Sequence, residues 1–451
     1  MQVSLMSILI VGIIVNWTRT PQKGPVVATV TLGQAGIGMI SIDTSTSRVF
    51  IVNGPSTRVS VLDTMTGTLM RSIALPMVAS ALAVAEREGH VFVGAGTSIQ
   101  MLDARDGQPL RTTIISPNPI NNTLHLVIDE SQSRLYVANS GSQQCMIAAC
   151  TPNDGIVDVL DAHTGRLLRI IVLRGQGVTS LALDTRTHHL LVTGGSTIPG
   201  HGYLSVIDPA VGRVLKRLAL NTVPTPWIPP VVDSMMGRVV VTGDPSIQPG
   251  PPRVNVDVLD TQRSRRLRTI SLLGVAANTV IDEQLGVIFI TDSGPVHSVT
   301  TRTSWGSRVA FLPVGAGSLH VLDAHTGAVR RTITLTGTPI AVVVDMRHRH
   351  VLVLQAGRLD AHGMPAGTGS IAVIDERGKR LLRTVQIGMG AFTMALDVRS
   401  SHLFLEGVES SGAAPNDFLA WLPYWLRRYL PAPTVFHNIS DIIMTLDTAD
   451  L

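Results

Sequence analysis

The 451-residue sequence predicts an all-β fold built from a repeated four-stranded unit. One phrase recurs along the chain: alternating β-forming residues, then Leu or Ile, then Asp and a short turn. A second phrase, a small-aliphatic strand that ends in Asp before a polar turn, fills the rest of each unit. The composition agrees, because 41 Gly and 26 Pro residues suit a chain rich in turns, and 45% hydrophobic residues suffice for a large core.

The first phrase marks the third strand, C, of each unit. Its copies end at Asp63, Asp103, Asp161, Asp208, Asp260, Asp323, Asp375 and Asp447. In five copies a Gly follows four residues later, at Gly67, Gly107, Gly165, Gly212 and Gly327. An Asp side chain can accept hydrogen bonds from amides just ahead of it, and Gly allows a positive φ. These segments are therefore predicted to be hairpin turns whose carboxylates are structural, not catalytic.

The second phrase marks strand A, and an aliphatic strand B follows it. The A strands end at Asp43, Ala85, Asp129, Asp184, Asp233, Asp282, Asp345 and Asp397. Strand D carries a basic residue eight positions after the C-strand Asp, at Arg71, Arg111, Arg169, Lys216, Arg268, Arg331 and Arg383. Because D is the outermost strand, these charges are spread around the circumference, where they discourage edge-to-edge pairing. A nucleic-acid partner is therefore not expected.

Eight copies of each strand are present, provided that Val26–Leu32 is a D strand and Ile442–Asp447 a C strand. A four-stranded unit of about 40–45 residues has the size of a propeller blade. We therefore predict a single β-propeller over residues 25–451, with eight blades, or seven if the last copy is not a true blade. The N-terminal strand would complete the last blade and leave the ring without an open edge.

The segment Tyr136-Val137-Ala138-Asn139, with the repeated V-x-V-[LI]-D-x-x-T-G, resembles the YVTN-repeat (YncE-like) β-propeller family of bacteria. The resemblance covers roughly residues 25–410 and 440–448, and Ala138 departs from the family tetrad, which has Thr there. The resemblance implies the propeller scaffold. It implies no activity, since members of the family differ in what they bind.

The A–B and C–D turns are short throughout, whereas several connections between strands B and C are long. They span about 140–155, 244–253, 292–317, 355–369 and 407–441. In a propeller these connections lie on one face, the top, and long loops usually mark binding sites or tolerated insertions. The binding candidates there are His201, His297, Arg302, Trp305, Arg308 and His362.

The last insertion, 407–441, is rich in aromatic residues. Trp421 and Trp425 stand beside Arg427 and Arg428 in a segment that could form a short helix. Trp and Arg together suit a protein hot spot or a membrane interface. The third interpretation of this segment is a lid that folds back over the propeller.

The A-strand position four residues before the terminal Asp holds His125, Ser180, Asn278 and Thr393, which could form a sparse polar lining of the channel. The favoured interpretation of His125 is a hydrogen-bonded strand histidine. Most of the other histidines, including His188, His348 and His402, are expected to be solvated turn residues.

Residues 1–24 are predicted to be a signal- or anchor-like segment and a linker. The apolar run at residues 3–15 is shorter than the roughly 20 residues of a spanning helix, but has the length of a signal-peptide core. Cys145 and Cys150 are predicted to form a local disulfide, with two free thiols as the alternative. Two cysteines do not make a metal site, and none is predicted.

Enzyme signatures are missing from the sequence. It has no P-loop, no HExxH zinc pair, no G-x-S-x-G elbow and no C-x-x-C-H haem site. We therefore expect a non-enzymatic, extracytoplasmic propeller without cofactor that binds a protein or ligand through its top-face B–C loops and could associate with a membrane through residues 3–15. The alternative is a lactonase-like hydrolase or an amine-dehydrogenase-like enzyme with its site at the channel mouth.

Overall fold

The structure, a computed structural model, describes most of the chain. The described ranges are 25–34, 39–52, 57–115, 125–139, 154–195, 201–225, 228–245, 252–303, 306–313, 316–356, 368–409 and 440–451. All regular elements in these ranges are strands, as predicted.

Eight antiparallel four-stranded sheets, the blades, form a ring around a central channel. Blade 1 comprises β2 Met39–Asp43, β3 Arg48–Val52, β4 Arg58–Asp63 and β5 Leu69–Ala74. Blade 2 comprises β6 Ala79–Ala85, β7 His90–Ala95, β8 Ser98–Asp103 and β9 Pro109–Ile114. Blade 3 comprises β10 His125–Asp129, β11 Arg134–Asn139, β12 Gly155–Asp161 and β13 Leu167–Leu173. Blade 4 comprises β14 Ser180–Asp184, β15 His189–Gly195, β16 Gly202–Asp208 and β17 Arg213–Leu220.

The second half of the ring follows the same order. Blade 5 comprises β18 Val231–Asp233, β19 Arg238–Pro245, β20 Arg253–Asp260 and β21 Arg265–Leu273. Blade 6 comprises β22 Ala276–Asp282, β23 Val287–Asp292, β26 Ser318–Asp323 and β27 Val329–Thr334, with the inserted strands β24 Val296–Thr303 and β25 Gly306–Pro313. Blade 7 comprises β28 Pro339–Asp345, β29 His350–Gln355, β30 Ser370–Asp375 and β31 Leu381–Gln386. Blade 8 comprises β32 Met389–Asp397, β33 His402–Glu409, β34 Ser440–Asp447 and β1 Val26–Gln34.

The ring closes as the sequence predicts. Strand β1 pairs antiparallel with β34, from Val26 opposite Leu446 to Gln34 opposite Ser440, and so supplies the D strand of blade 8. The A strands of neighbouring blades contact one another all the way round, including blade 8 against blade 1. Eight blades are therefore confirmed and the seven-blade alternative is wrong.

The core lies between neighbouring sheets and is mostly aliphatic, as expected for a sequence with only 4% aromatic residues. The exceptions recur at one position, the third residue of a B strand, where a large ring fills the space between two blades. These fully buried residues are Phe50, Phe92, Tyr136, Phe289 and Phe404. Burial raises the pKa of Tyr136 to about 12.

The repeated Asp residues shape the turns, which confirms their predicted structural role. Asp63 Oδ1 accepts hydrogen bonds from the amides of Met65 and Thr66, at 3.0 and 2.9 Å. Asp43 does the same at an A–B turn, with Ser45 and Thr46 at 2.9 and 3.1 Å. The predicted turn glycines all have a positive φ, at Gly67, Gly107, Gly165, Gly212 and Gly327.

The basic residues of the D strands have a role that the sequence did not reveal. Lys216 Nζ donates to the carbonyl oxygens of Thr261 and Gln262, in the C–D turn of the next blade, at 3.0 and 3.2 Å. Arg331 Nη1 reaches Lys379 O in the same way at 2.6 Å. Each of these side chains therefore fastens its blade to the following one.

Several turn histidines also join blades, contrary to the expectation that they are solvated. His188 Nδ1 contacts Asp129 Oδ2 of the preceding blade at 2.8 Å. The buried His402 Nδ1 contacts Thr64 O of blade 1 at 2.7 Å. A turn position looks exposed in sequence, but in a ring it faces the turn of the neighbouring blade.

Candidate functional site

The top face carries the B–C and D–A connections, and the long B–C connections fall where the sequence places them. In blades 3, 5, 6, 7 and 8 strand B ends and strand C begins at the expected boundaries, for example at Asn139 and Gly155 in blade 3. The opposite face, the bottom, carries the short A–B and C–D turns.

The insertion in blade 6 forms a β-hairpin, whereas the sequence predicted only a long loop. Strands β24 and β25 pair over eight positions, from Val296 opposite Pro313 to Thr303 opposite Gly306. They make up a two-stranded sheet of their own, separate from the blade that carries them. The hairpin therefore adds ordered β-structure to the top face at one blade.

The structure places three of the predicted binding residues on this hairpin. Arg302 lies opposite Ser307, and Arg308 lies opposite Thr301, so both arginines are next to the turn. His297 pairs with Leu312 near the base. The sequence therefore located residues of one surface element without predicting the element itself.

The other binding candidates are not brought to this hairpin within the described residues. His201 is exposed at the start of blade 4's C strand, where its Nδ1 lies 3.2 Å from Leu220 O. The remaining sequence candidates lie outside the described residues: Cys145, Cys150, Trp305, His362, Trp421, Trp425, Arg427 and Arg428.

The four channel-lining candidates occupy one register level near the top ends of the A strands. His125, Ser180, Asn278 and Thr393 pair with B-strand residues Ala138, Thr193, Thr291 and Glu406. Ser180 is fully buried, and the other three side chains are half-buried. They are distributed over blades 3, 4, 6 and 8 and form a sparse level, not a cluster.

Buried threonines of strand B support irregular A strands at this level. Thr291 Oγ1 donates to Asn278 O at 3.3 Å and accepts from Asn278 N at 3.0 Å, beside a bulge in β22. Thr242 Oγ1 lies 3.1 Å from Thr279 Oγ1 of the next blade. The Thr291 hydroxyl thus bonds backbone groups beside the bulge, where the regular ladder is interrupted, and the Thr242–Thr279 contact links two blades.

A carboxylate–imidazole pair lies at the base of the blade 6 hairpin. Asp292, the last residue of β23, hydrogen-bonds through Oδ2 to His320 Nε2 on β26. The two side chains are 4% and 13% exposed. Asp292 Oδ1 also accepts from the amide of Gly294 at 2.6 Å, and His320 Nδ1 lies 2.9 Å from Thr332 Oγ1. The pair holds the point at which the chain leaves the blade for the hairpin.

Sequence reasoning missed this pair, although a signal was present. The C-strand position three residues before the terminal Asp is polar in six of the eight copies, among aliphatic neighbours. The residues at that position are Ser60, Gln100, Asp158, Ser205, Asp257 and His320. Asp257, for example, is fully buried and accepts from Asn221 N at 2.7 Å and Thr269 Oγ1 at 2.5 Å. Aligning the copies column by column would have revealed this row of buried polar residues.

Within the described ranges, no three His, Cys, Asp or Glu side chains converge as a metal site requires. No helix in the same part of the chain has the length and apolar character needed to cross a bilayer.

Comparison with known proteins extends to the fold alone. No protein-family profile and no characterised protein matches the sequence. Among solved structures, the Dos1 propeller superposes with a TM-score of 0.59 at 11% identity, covering 94% of this chain and 95% of that chain. A europium-containing methanol dehydrogenase gives 0.56 at 11% identity, covering 93% of each chain. The quinohemoprotein alcohol dehydrogenase ADHIIG from Pseudomonas putida HK5 gives 0.56 at 12% identity, covering 94% of this chain and 76% of that chain.

These similarities and the sheet order define the class of the protein, an eight-bladed β-propeller. Two of the three similar structures are named as dehydrogenases, but identities of 11–12% carry no activity over to this chain.

Proposed function

We propose that the protein is a non-enzymatic, extracytoplasmic β-propeller that binds a protein partner through its top-face B–C connections. The observation that carries this proposal is the hairpin β24–β25, an ordered element standing on the top face of blade 6. Functional loops held on a rigid scaffold are the usual means by which propellers and related folds bind other molecules.

The hairpin has the physical properties of a docking element. An isolated two-stranded sheet is marginally stable in water, so an eight-pair hairpin gains from packing against another surface. Within the described residues its two edges pair with no further strand, and such an edge can accept a strand from a partner. The register places positions 302 and 308, both arginine, next to its turn, and arginine is a residue type that forms charge-assisted hydrogen bonds.

The test is site-specific photocrosslinking in cells. A crosslinking amino acid replaces Arg302 on the hairpin or, as the matched control, the exposed Arg105 in a C–D turn on the bottom face. We expect a discrete protein adduct from position 302 and none from position 105. An adduct pattern that is equal at the two positions, or absent from both, contradicts top-face binding.

Two deletion variants distinguish docking through the hairpin from docking through the aromatic insertion. One protein lacks residues 297–312 and another lacks residues 410–439, and the melting temperature of each shows whether the ring remains folded. Each variant is then used to capture the protein that was crosslinked from position 302. If only the variant without 297–312 fails to capture it, the hairpin is the docking site. Failure of only the variant without 410–439 moves the docking site to the aromatic segment of Trp421 and Trp425 and away from the hairpin.

The alternative function is an enzyme. The Asp292–His320 pair has the chemistry of a general base, but it lies on strands B and C and not on the A strands that surround the channel. Both imidazole nitrogens, moreover, already face protein groups, Asp292 Oδ2 and Thr332 Oγ1, so neither is directed at a substrate. The discriminating assay measures hydrolysis of chromogenic esters and lactones by the wild type and by His320→Gln. A turnover that His320→Gln abolishes, in a variant with an unchanged melting temperature, would favour the enzyme.

The extracytoplasmic location rests on the apolar run at residues 3–15 and on the close pair Cys145 and Cys150, since disulfides persist in oxidising compartments. Mass spectrometry of unreduced protein should give a mass two hydrogens below that of the reduced protein. Two alkylatable thiols in freshly isolated protein argue against both the bridge and the location. Membership of the YVTN-repeat family, on the residues 136–139, is part of the same proposal.

A further inference from the structure

The bottom outer rim of the ring has an uneven distribution of charge. The C–D hairpins 260–268, 323–331 and 375–383, of blades 5, 6 and 7, together contain ten Arg or Lys and four Asp or Glu residues. Their net charge is therefore +6, whereas the whole chain has +4. The corresponding hairpins 63–71 and 103–111 of blades 1 and 2 each balance to zero, and the hairpins 161–169 and 208–216 of blades 3 and 4 each carry +1, as the blade 6 hairpin does, so most of the excess charge comes from blades 5 and 7. We call the three cationic hairpins the basic rim.

The basic rim is a continuous surface. Arg331 Nη1 on blade 6 donates to Lys379 O in the blade 7 hairpin at 2.6 Å, so these two hairpins touch. Gly327, in the blade 6 hairpin, lies so close to blade 5 that an added Cβ would meet the Cβ of Arg268 at 3.3 Å. Ten cations are thus gathered along one arc of the ring.

Part of the positive charge of this arc is available to a partner, although Arg331 donates to Lys379 O. All ten basic side chains are exposed. In the described part of the chain, six of them form no ion pair: Arg265, Arg268, Arg331, Lys379, Arg380 and Arg383. The four carboxylates among them accept hydrogen bonds from turn amides or pair with arginines. Asp323, for example, accepts from Thr326 N at 2.8 Å, and Glu376 pairs with Arg349.

Apolar side chains lie among these cations. Val329 is 43% exposed and Leu382 is 41% exposed, and each is next to a basic residue in sequence. A phosphate backbone gains nothing from an aliphatic side chain, whereas a bilayer interface accepts both the aliphatic group and the cationic one. Among the described residues the rim has no Phe, Tyr or Trp side chain, and the exposed His325 is its single ring that could stack on a base, too few for a stacking platform.

The first described residue, Pro25, lies on this same side of the ring. Pro25 O accepts the amide of Asp447, at the bottom end of blade 8, with a distance of 2.8 Å. Blade 8 adjoins blade 7, so the chain arrives at the bottom face beside the end of the basic rim. A bilayer that held the segment 3–15 would therefore face this rim, within the ~33 Å reach of residues 16–25.

From this juxtaposition we propose that the basic rim of blades 5–7 docks on an anionic lipid bilayer and leaves the top face directed away from the membrane. The orientation rests on the proposed anchoring by residues 3–15, but the lipid contact does not. Each cation near an anionic surface strengthens binding several-fold, and the effect fades within a Debye length.

The test measures sedimentation of residues 25–451, which contain every strand of the ring, with vesicles of phosphatidylcholine alone or mixed with phosphatidylglycerol. The rim variant carries Arg265→Gln, Arg268→Gln, Lys379→Gln and Arg383→Gln. The control variant removes the same charge from blades 2 and 3 through Arg105→Gln, Arg111→Gln, Arg166→Gln and Arg169→Gln, all of them exposed residues.

We expect binding to the phosphatidylglycerol vesicles only, weakened about 30-fold in the rim variant and less than about 3-fold in the control. Equal weakening in both variants, or no vesicle binding by the wild type, overturns the proposal. Tighter, rim-dependent binding to duplex DNA than to the vesicles overturns it in favour of a nucleic-acid surface. Crosslinking from position 302 tests binding by the top face in a separate experiment. A failure of the lipid proposal can therefore be told apart from a failure of the proposed top-face function.

Discussion

The backbone amide of Asp447 donates a 2.8 Å hydrogen bond to the carbonyl oxygen of Pro25, and thereby joins the last C strand to the start of the first described strand. A second contact closes the ring nearer the channel, where Arg399 Nη1 of blade 8 donates to Thr44 O of blade 1 at 2.6 Å. Blade 8 combines β1, the first described strand, with β32, β33 and β34, so its four strands do not come from one continuous segment. The stability of the whole ring should therefore be sensitive to blade 8.

The closing blade provides the first prediction. Ile443 is fully buried between blades 8 and 1, against Val49, Ile51 and Phe404. Ile443→Ala should lower the free energy of unfolding by about 2–5 kcal/mol, measured by urea denaturation, because it leaves a cavity in that core. Ile114→Ala, at a residue 64% exposed, is the control and should change it by less than about 0.5 kcal/mol. Similar losses in the two variants would contradict the assigned packing.

Two adjacent glycines provide the second prediction. A Cβ at Gly194 would lie 1.5 Å from Gly177 O in the connection between blades 3 and 4, whereas a Cβ at Gly195 meets nothing within 4 Å. Gly194→Ala should therefore cost roughly 2–4 kcal/mol, since backbone must move. Gly195→Ala should be neutral or should stabilise the fold by about 0.5 kcal/mol, because Ala lowers the conformational entropy of the unfolded chain. Thermal denaturation of the two variants measures the difference, and tolerance of Ala at position 194 would disprove the close approach.

The contact between blades 4 and 5 provides the third prediction. Lys216→Met keeps most of the aliphatic side chain but removes the ammonium that bonds Thr261 O and Gln262 O. The variant should lose about 1 kcal/mol of unfolding free energy, since a half-buried charged donor is involved. Hydrogen exchange of the 261–263 turn should also become faster. The exposed Arg213→Met is the control, and an equal loss there would indicate a general charge effect.

The turn carboxylates provide the fourth prediction, which concerns pH. Burial alone would raise the pKa of Asp323, but hydrogen bonds from Arg330 and Thr326 lower it to about 2. A folded pKa below the unfolded value of roughly 3.9 means that ionised Asp323 stabilises the fold above pH 4 and that this contribution disappears as the pH falls through 2. The pKa values of Asp63, Asp129, Asp161, Asp260 and Asp345 are lowered too, so stability should fall steeply over the same interval.

Asp323→Asn isolates one of these carboxylates. The variant should be on the order of 1–2 kcal/mol less stable than the wild type at pH 7, and the difference should vanish near pH 2. Arg330→Gln should give an intermediate result, because the amide of Thr326 still bonds the carboxylate. Urea midpoints at a series of pH values measure this. A difference that stays constant with pH would show that ionisation of Asp323 is not responsible.

Local interactions were predictable from the sequence, and interactions between blades were not. Asp63 bonds amides two and three residues ahead, so its role follows from spacing alone. Asp292 and His320 are 28 residues apart and meet only because the intervening chain leaves the blade as a hairpin and returns to the adjacent strand. The contact from Lys216 to Thr261 spans 45 residues and depends on how two sheets stack.

The sequence by itself predicted four-stranded blades, eight of them with seven as the alternative, and the closure by the N-terminal strand, because a repeat records its own period and each strand ends in a local turn signal. The pairing of β1 with β34 decided for eight. The tertiary structure alone decided that the insertion after Asp292 is a paired hairpin and that the turn histidines join blades. It also gathered the basic residues of blades 5–7 into one continuous rim. Those features depend on the angle between neighbouring sheets, which arises from side-chain packing across the whole ring and leaves no periodic mark in any one segment.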